Sequence, residues 1–239
     1  MTATEFTGFR PAAFVFLRSL RRHNDREWFE RNRDTYETEL RRPLSVLAEE
    51  IDVRLAGLAP EIVGDPKRSL FRIHRDVRFS ADKSPYKTHV ACWFHHVDAG
   101  RGVGTQTPHG GAGFYFHMEA DRASLGGGIW MPPRPTLQRI RQAIDDDARA
   151  LEVILAGARR RFGGLAEEHM LTRMPRGYAE SHPAATLLRH QSYTLGRELV
   201  SRDLLSARLP DVLARDFARL VPLVRWINGA LGLRTLARR

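Results

Sequence analysis

Apolar positions in the first sixty residues recur at helical spacing. Pro11 to Arg22 reads as a first helix opened by a proline in its first turn. Asn24 followed by Glu27 is a capping signal for a second helix. Tyr36, Leu40, Leu44, Leu47, Ile51, Leu55 and Leu58 then fall three and four residues apart, which predicts one long helix. Pro43 predicts a kink or break within it, and Gly57 and Pro60 end it. From residue 70 the period changes to two. Phe71, Ile73, Val77 and Phe79 alternate with Arg72, His74, Asp76 and Arg78, the pattern of a half-buried strand. Arg75 interrupts the alternation by falling on the apolar face. Val90 to His96, Phe114 to Met118 and Ala123 to Trp130 read as further strands, the last bent at Gly126-Gly127-Gly128. Between them, Asp98 to Gly113 reads as a long Gly/Thr/His-rich loop. After Pro135 the helical period returns through Leu137, Ile140, Ile144, Leu151 and Leu155. Residues 163–200 look irregular, and Asp203 to Leu231 is mostly helical with interruptions near Pro210 and Pro222. Helices, then strands, then helices predict an α+β fold: a mainly antiparallel sheet of four or more strands, packed by N-terminal and C-terminal helices. No internal repeat or linker breaks the chain, so residues 1–239 read as one domain.

Composition narrows the class. Hydrophobic residues make up 42% and charged residues 28% of the 239, an ordinary globular balance that excludes collagenous and wholly disordered chains. No apolar run approaches a bilayer-spanning length. One cysteine, Cys92, excludes an internal disulfide and a multi-cysteine zinc site. Without a signal-peptide pattern at the N-terminus, the expectation is a cytoplasmic protein with no membrane association. The formal net charge is +10. Its distribution matters more than its size. Residues 67–87 carry seven cations against Asp76 and Asp82, and residues 201–239 carry eight against three acids. Clustered positive charge points to phosphate-bearing partners, either a small molecule or nucleic acid.

The chemistry-bearing stretch runs from Arg72 to His89, RIHRDVRFSADKSPYKTH. Ser80 to Pro85 reads as a turn with Lys83 and Lys87 at its rim. Two readings compete. In one, Asp76 and Asp82 pair with arginines in a structural salt-bridged turn. In the other, Arg75, Arg78, Lys83 and Lys87 converge on an anion, Asp76 orients the arginines, Asp82 holds the turn and the Tyr86 hydroxyl bonds the ligand. An enzyme reading adds Asp76 or His89 as general acid or base at the same place.

The run Arg75-Asp76-Val77-Arg78-Phe79-Ser80-x-Asp82-Lys83-x-Pro85-Tyr86-Lys87-Thr88-His89 resembles the signature of a bacterial and fungal family catalogued as domain of unknown function 2461. Asn24-Asp25-Arg26-Glu27-Trp28-Phe29 is similar to that family's Asn-x-x-x-Trp-Phe motif. Gly126 to Pro132 resembles its glycine-rich strand end, and Pro175-Arg176-Gly177-Tyr178 with His182-Pro183 and Leu187-Leu188 its C-terminal motif. The chain departs from the pattern at His23 and Thr172, where the family often carries asparagine and lysine. The resemblance spans Phe6 to Asn228 and implies a fold unit and a set of positions, with no established activity and no cofactor.

Other patterns carry less. His89 and His95 share strand parity, as do His117 and Glu119, but their spacing is no recognised ligand signature and no metal site is assigned. Gly126-Gly127-Gly128 lacks the context of a nucleotide-binding fingerprint, and no serine elbow occurs. Trp28, Phe29, Trp93 and Trp130 read as packing residues.

Overall fold

The computed structural model describes residues 5–78, 81–99 and 110–236. Five strands form one antiparallel sheet in sequence order: β1 (Ile62–Val63), β2 (His89–His96), β3 (Gly113–Glu119), β4 (Ala123–Ile129) and β5 (Tyr193–Leu199). Helices precede and follow the strands, so the α+β class stands. Among the described residues no helix is long and apolar enough to cross a membrane.

Several helix boundaries have a local cause. Helix α1 spans Pro11–Arg22 and buries Ala13, Phe16, Leu17 and Leu20. Helix α2 (Arg26–Arg31) is capped by Asp25, whose carboxylate accepts the Trp28 N–H at 2.8 Å. Asn24 is therefore not the cap. Its side-chain amide instead exchanges two 3.0 Å hydrogen bonds with the backbone of Tyr86. The expected long helix is divided into α3 (Arg33–Tyr36), a π-helical turn at Glu37–Arg41 and α4 (Arg42–Leu58). Pro43 lies in the first turn of α4, where its missing N–H costs least, and the wide turn precedes it. The stretch after Pro133 is also two helices, α5 (Arg134–Asp146) and α6 (Ala148–Phe162), because Asp147 accepts the Arg149 and Ala150 amides and starts a new helix.

Three expectations change. The segment 70–78 is not a continuous strand. It meets the chain around β2 at two isolated bridges, Leu70 with Cys92 and His74 with Tyr86. Four steps on one side face six on the other, so the register slips and no ladder forms. Residues 163–200 contain helix α7 (Ala185–Arg189) and the edge strand β5. The C-terminal region resolves into a short α8 (Ser201–Leu204) and the long α9 (Leu209–Ala230), with Pro210 in the first turn of α9 and Pro222 inside it. Phe79, Ser80 and residues 100–109, including His109, lie outside the described residues.

The core lies on one face of the sheet. Cross-strand partners share a face, so Cys92, Phe116 and Leu125 form one inner row and Phe94, Phe114 and Gly127 another. Helix α9 covers this face along β4 and β3, with α4 beside it over β1 and β2. A Cβ on Gly127 would lie 3.0–3.3 Å from Phe114 and Leu220, so the helix rests on bare backbone there. Phe114 stacks on Phe217 of α9 with ring centroids 4.7 Å apart.

One inward-facing charge locks this layer. Asp216 of α9 is 1% exposed. Its carboxylate accepts from Arg161 of α6 at 2.8 and 3.1 Å and from Arg197 of β5 at 2.8 and 2.5 Å. Replacing Asp216 with alanine strands both guanidinium groups and is expected to cost about 3 kcal/mol of unfolding free energy in urea denaturation. Arg161→Ala should cost less, because that side chain is already 46% exposed.

Candidate functional site

The opposite, outer face of the sheet carries a different set of residues. His89, Ala91 and Trp93 of β2 lie beside Glu119, His117 and Tyr115 of β3, and Ser124, Gly126 and Gly128 of β4 follow. Glu198, Gly196 and Thr194 of β5 complete the rows. Over them opens a cleft of about 920 Å³, within the usual range for a small-molecule site.

Its floor is glycine. Gly126 and Gly196 are direct cross-strand partners, and a Cβ on Gly196 would lie 2.6 Å from the Leu125 carbonyl oxygen. Gly128 has φ +128°, a conformation that other residues adopt only under strain. These positions remove side chains from the middle of the face and leave a flat backbone surface. The walls are aromatic. Trp93 and Tyr115 are direct cross-strand partners, and Phe71 packs edge-on against Tyr115 at 6.0 Å. Trp130, expected to be a packing residue, is 50% exposed and lines the far wall. It precedes Met131, whose φ is +41° and whose N–H bonds Ser192 Oγ at 2.9 Å. Trp93 is buried as expected, yet its indole N–H has no partner among the described residues.

The polar end of the cleft contains Lys87 and His89. The Lys87 ammonium lies 5.2 Å from the Phe71 ring centroid and pairs with no carboxylate among the described residues. Burial, with Arg72 and Arg75 nearby, lowers its pKa from the ordinary value. The His89 ring lies 4.4 Å from that of His117. Burial first, then the neighbouring His117 ring and Lys87 ammonium, brings the His89 pKa down to about 4.

Behind them, alternate residues of β3 form a hydrogen-bonded chain. His117 Nε2 lies 3.0 Å from Glu119 Oε1, and His117 Nδ1 lies 3.0 Å from the Tyr115 hydroxyl. Glu119 also accepts from Arg122 at 3.0 Å, and this bond leads the causes that keep its carboxyl below the usual range. An ionised carboxylate only accepts, so Nε2 carries the imidazole proton. Nδ1 is then the acceptor, and the Tyr115 hydroxyl donates to it. Among the described residues no group of three His, Cys, Asp or Glu is arranged to hold a metal ion.

The residues singled out in the sequence are divided by the fold. Arg75 pairs with Asp82. Asp82 also accepts the Ser84 amide at 2.9 Å and the Ser84 hydroxyl at 2.5 Å, bonds that lead its drop in pKa to about 2. Asp76 grips the Arg78 guanidinium at 3.0 and 2.7 Å, and its pKa also falls to about 2. Lys83 donates to the Val77 carbonyl at 2.9 Å. These contacts close within the 75–84 segment, and Asp76 does not touch His89. Tyr86 is 2% exposed and stacks on Phe29 at 4.1 Å, so its side chain belongs to the core. Lys87 and His89 alone of the set line the cleft. The sequence places Trp130 among the packing residues and Gly126-Gly127-Gly128 at a strand bend, and gives Tyr115 no role; the shared parity of Tyr115, His117 and Glu119 is the available signal.

The fold and these motifs define an α+β protein with an open, aromatic-walled sheet face. A family model described as conserved hypothetical protein (DUF2461) matches residues 12–226, and the chain belongs to that family. No curated protein and no solved structure matches the chain.

The depressed His89 pKa fixes a sign. An unfolded histidine titrates near 6.5, so between that pH and about 4 the unfolded chain binds more protons. The His89 contribution is complete above about pH 6.5 and is lost as pH falls towards 4. Burial leads this shift; among the facing groups His117, Lys87 and Arg75 lower the pKa further and Glu119 opposes them. Urea midpoints measured from pH 7 to 4 should decline less steeply in His89→Gln than in the native chain.

Proposed function

We propose that the outer-face cleft binds a small anionic molecule bearing a flat ring. The ring lies on the glycine floor between Trp93, Tyr115 and Trp130, and the negative group meets Lys87. One observation carries this reading: a partly buried ammonium lines an aromatic-walled cleft with no carboxylate among the described residues paired to it. Desolvating a charge without a counter-charge is costly, and an anionic ligand would offset that cost. The unpartnered Trp93 indole supports an acceptor on the ligand. Glu168 and Glu198 also line the cleft and favour the orientation that turns negative charge towards Lys87. A small molecule fits better than a nucleic acid, because Arg75 and Arg78 are each closed on a carboxylate within their own segment.

The test uses the tryptophans of the cleft as reporters. Aromatic carboxylates, nucleoside monophosphates and inorganic phosphate are titrated against intrinsic fluorescence and thermal unfolding. A ring-bearing anion should quench fluorescence and raise the melting temperature. Lys87→Met should weaken its binding about tenfold or more, the scale of one charge-assisted hydrogen bond. Trp130→Ala should weaken ring-bearing ligands and leave inorganic phosphate unaffected. The reading fails if nothing in the panel binds, or if Lys87→Met binds every member as the native chain does.

A further inference from the structure

The hydrogen-bonded chain on β3 has a direction, and that direction suggests chemistry. We propose that Tyr115, backed by His117 and Glu119, is the general base and acid of the cleft, and that its substrate is a ring-bearing 2-oxo acid whose C–H beside the carbonyl it removes and returns. This rests on the cleft being the ligand site.

The geometry has three parts. Tyr115, His117 and Glu119 occupy successive positions on the outer face of one strand, so backbone regularity holds them in line. The Glu119 carboxylate, fixed by Arg122, sets the His117 tautomer with Nε2 protonated. The Tyr115 hydroxyl therefore directs its proton along the strand to His117 Nδ1. Tyr115 lines the cleft, whereas His117 and Glu119 follow it along the same face of β3 and do not line the cleft. Burial raises the Tyr115 pKa, so the resting group is a neutral phenol.

The step balances without any further reactant. The substrate C–H bond breaks and its proton passes to the Tyr115 oxygen. The phenolic proton passes at the same time to His117 Nδ1, and the imidazolium so formed lies against the Glu119 carboxylate. The electron pair of the broken bond forms the enolate C=C, and the carbonyl pair moves onto oxygen. Returning a proton to carbon restores the keto acid, and in deuterated water that position becomes labelled. The arrangement follows the logic of a nucleophile–imidazole–carboxylate triad, with a phenol at the substrate end. In this pose the ring occupies the aromatic walls and Lys87 takes the carboxylate.

A purely structural hydrogen-bond chain would give the same static picture, so the test reads proton transfer. Phenylpyruvate, 4-hydroxyphenylpyruvate and indole-3-pyruvate are incubated with the protein in deuterated water, and loss of the C3 proton signal is followed by NMR. Fluorescence titration reports binding in parallel. The native protein should exchange a bound acid faster than buffer alone. Tyr115→Phe should retain binding and lose about 100-fold or more of the protein-dependent rate. His117→Gln and Glu119→Gln should fall between, and the His117 nitrogen-15 shifts should show the proton on Nε2. Binding with exchange at the buffer rate would overturn the relay and leave the ligand site standing. Native-like exchange in Tyr115→Phe, or a His117 proton on Nδ1, would also overturn the relay. If none of the three acids binds, the substrate assignment falls, and the wider anion panel decides whether the cleft reading falls with it.

Discussion

The Asp216 carboxylate is the constraint from which the rest of the architecture follows. It is nearly sealed from water and joined to two arginines, one on α6 and one on β5. An isolated buried carboxylate is prohibitively costly, and burial is tolerable only with paired, hydrogen-bonded cations. The clamp ties the last strand to the long C-terminal helix and to α6, the second helix after β4. A second such pair, buried Glu61 with Arg225, ties the start of β1 to the same α9. Both ends of the sheet are thus fastened to one helix by charge, while its middle is held by the stacked rings of Phe114 and Phe217.

With α9 and α4 packed on one face, the other face of the sheet carries the cleft. The inner face uses mostly apolar residues, one glycine where α9 approaches and Arg197 paired with Asp216. On the outer face Gly126, Gly128 and Gly196 make no side-chain contribution, and the polar and aromatic groups ring them. Sheets that only need packing do not require three glycines on adjacent strands, and they weaken the strands they occupy. The Met131 backbone, held in a left-handed conformation beside Trp130, is a further local cost at the same site.

The fold class was legible because it depends on period. Alternation in β3 and the three-and-four spacing of α1 and α4 are properties of the chain itself. Strand β5 was hidden because Arg197 occupies an inward position, and its counter-charge lies nineteen residues further on, at Asp216. The 70–78 segment alternates like a strand, but the register slip against its neighbour depends on two chain segments together. The candidate site was legible in part. Lys87 and His89 fall within the conspicuous cationic run and do reach the cleft. Arg75 and Arg78 look alike in sequence, and it is the folded turn that pairs them with Asp82 and Asp76. The exposed Trp130 could not be told from a core tryptophan, since burial is set by what packs opposite.

The Asn24 amide acts on the Tyr86 main chain as a neighbouring strand would. Tyr86 is then covered by the Phe29 ring from the helix that Asn24 precedes. The next residue after Tyr86 is the lysine at the mouth of the open sheet face. Asn24, 62 residues upstream of Tyr86, and α2 therefore act as the mount for the charged end of the cleft. A sequence element that looks like scaffolding sets how far one ammonium can reach.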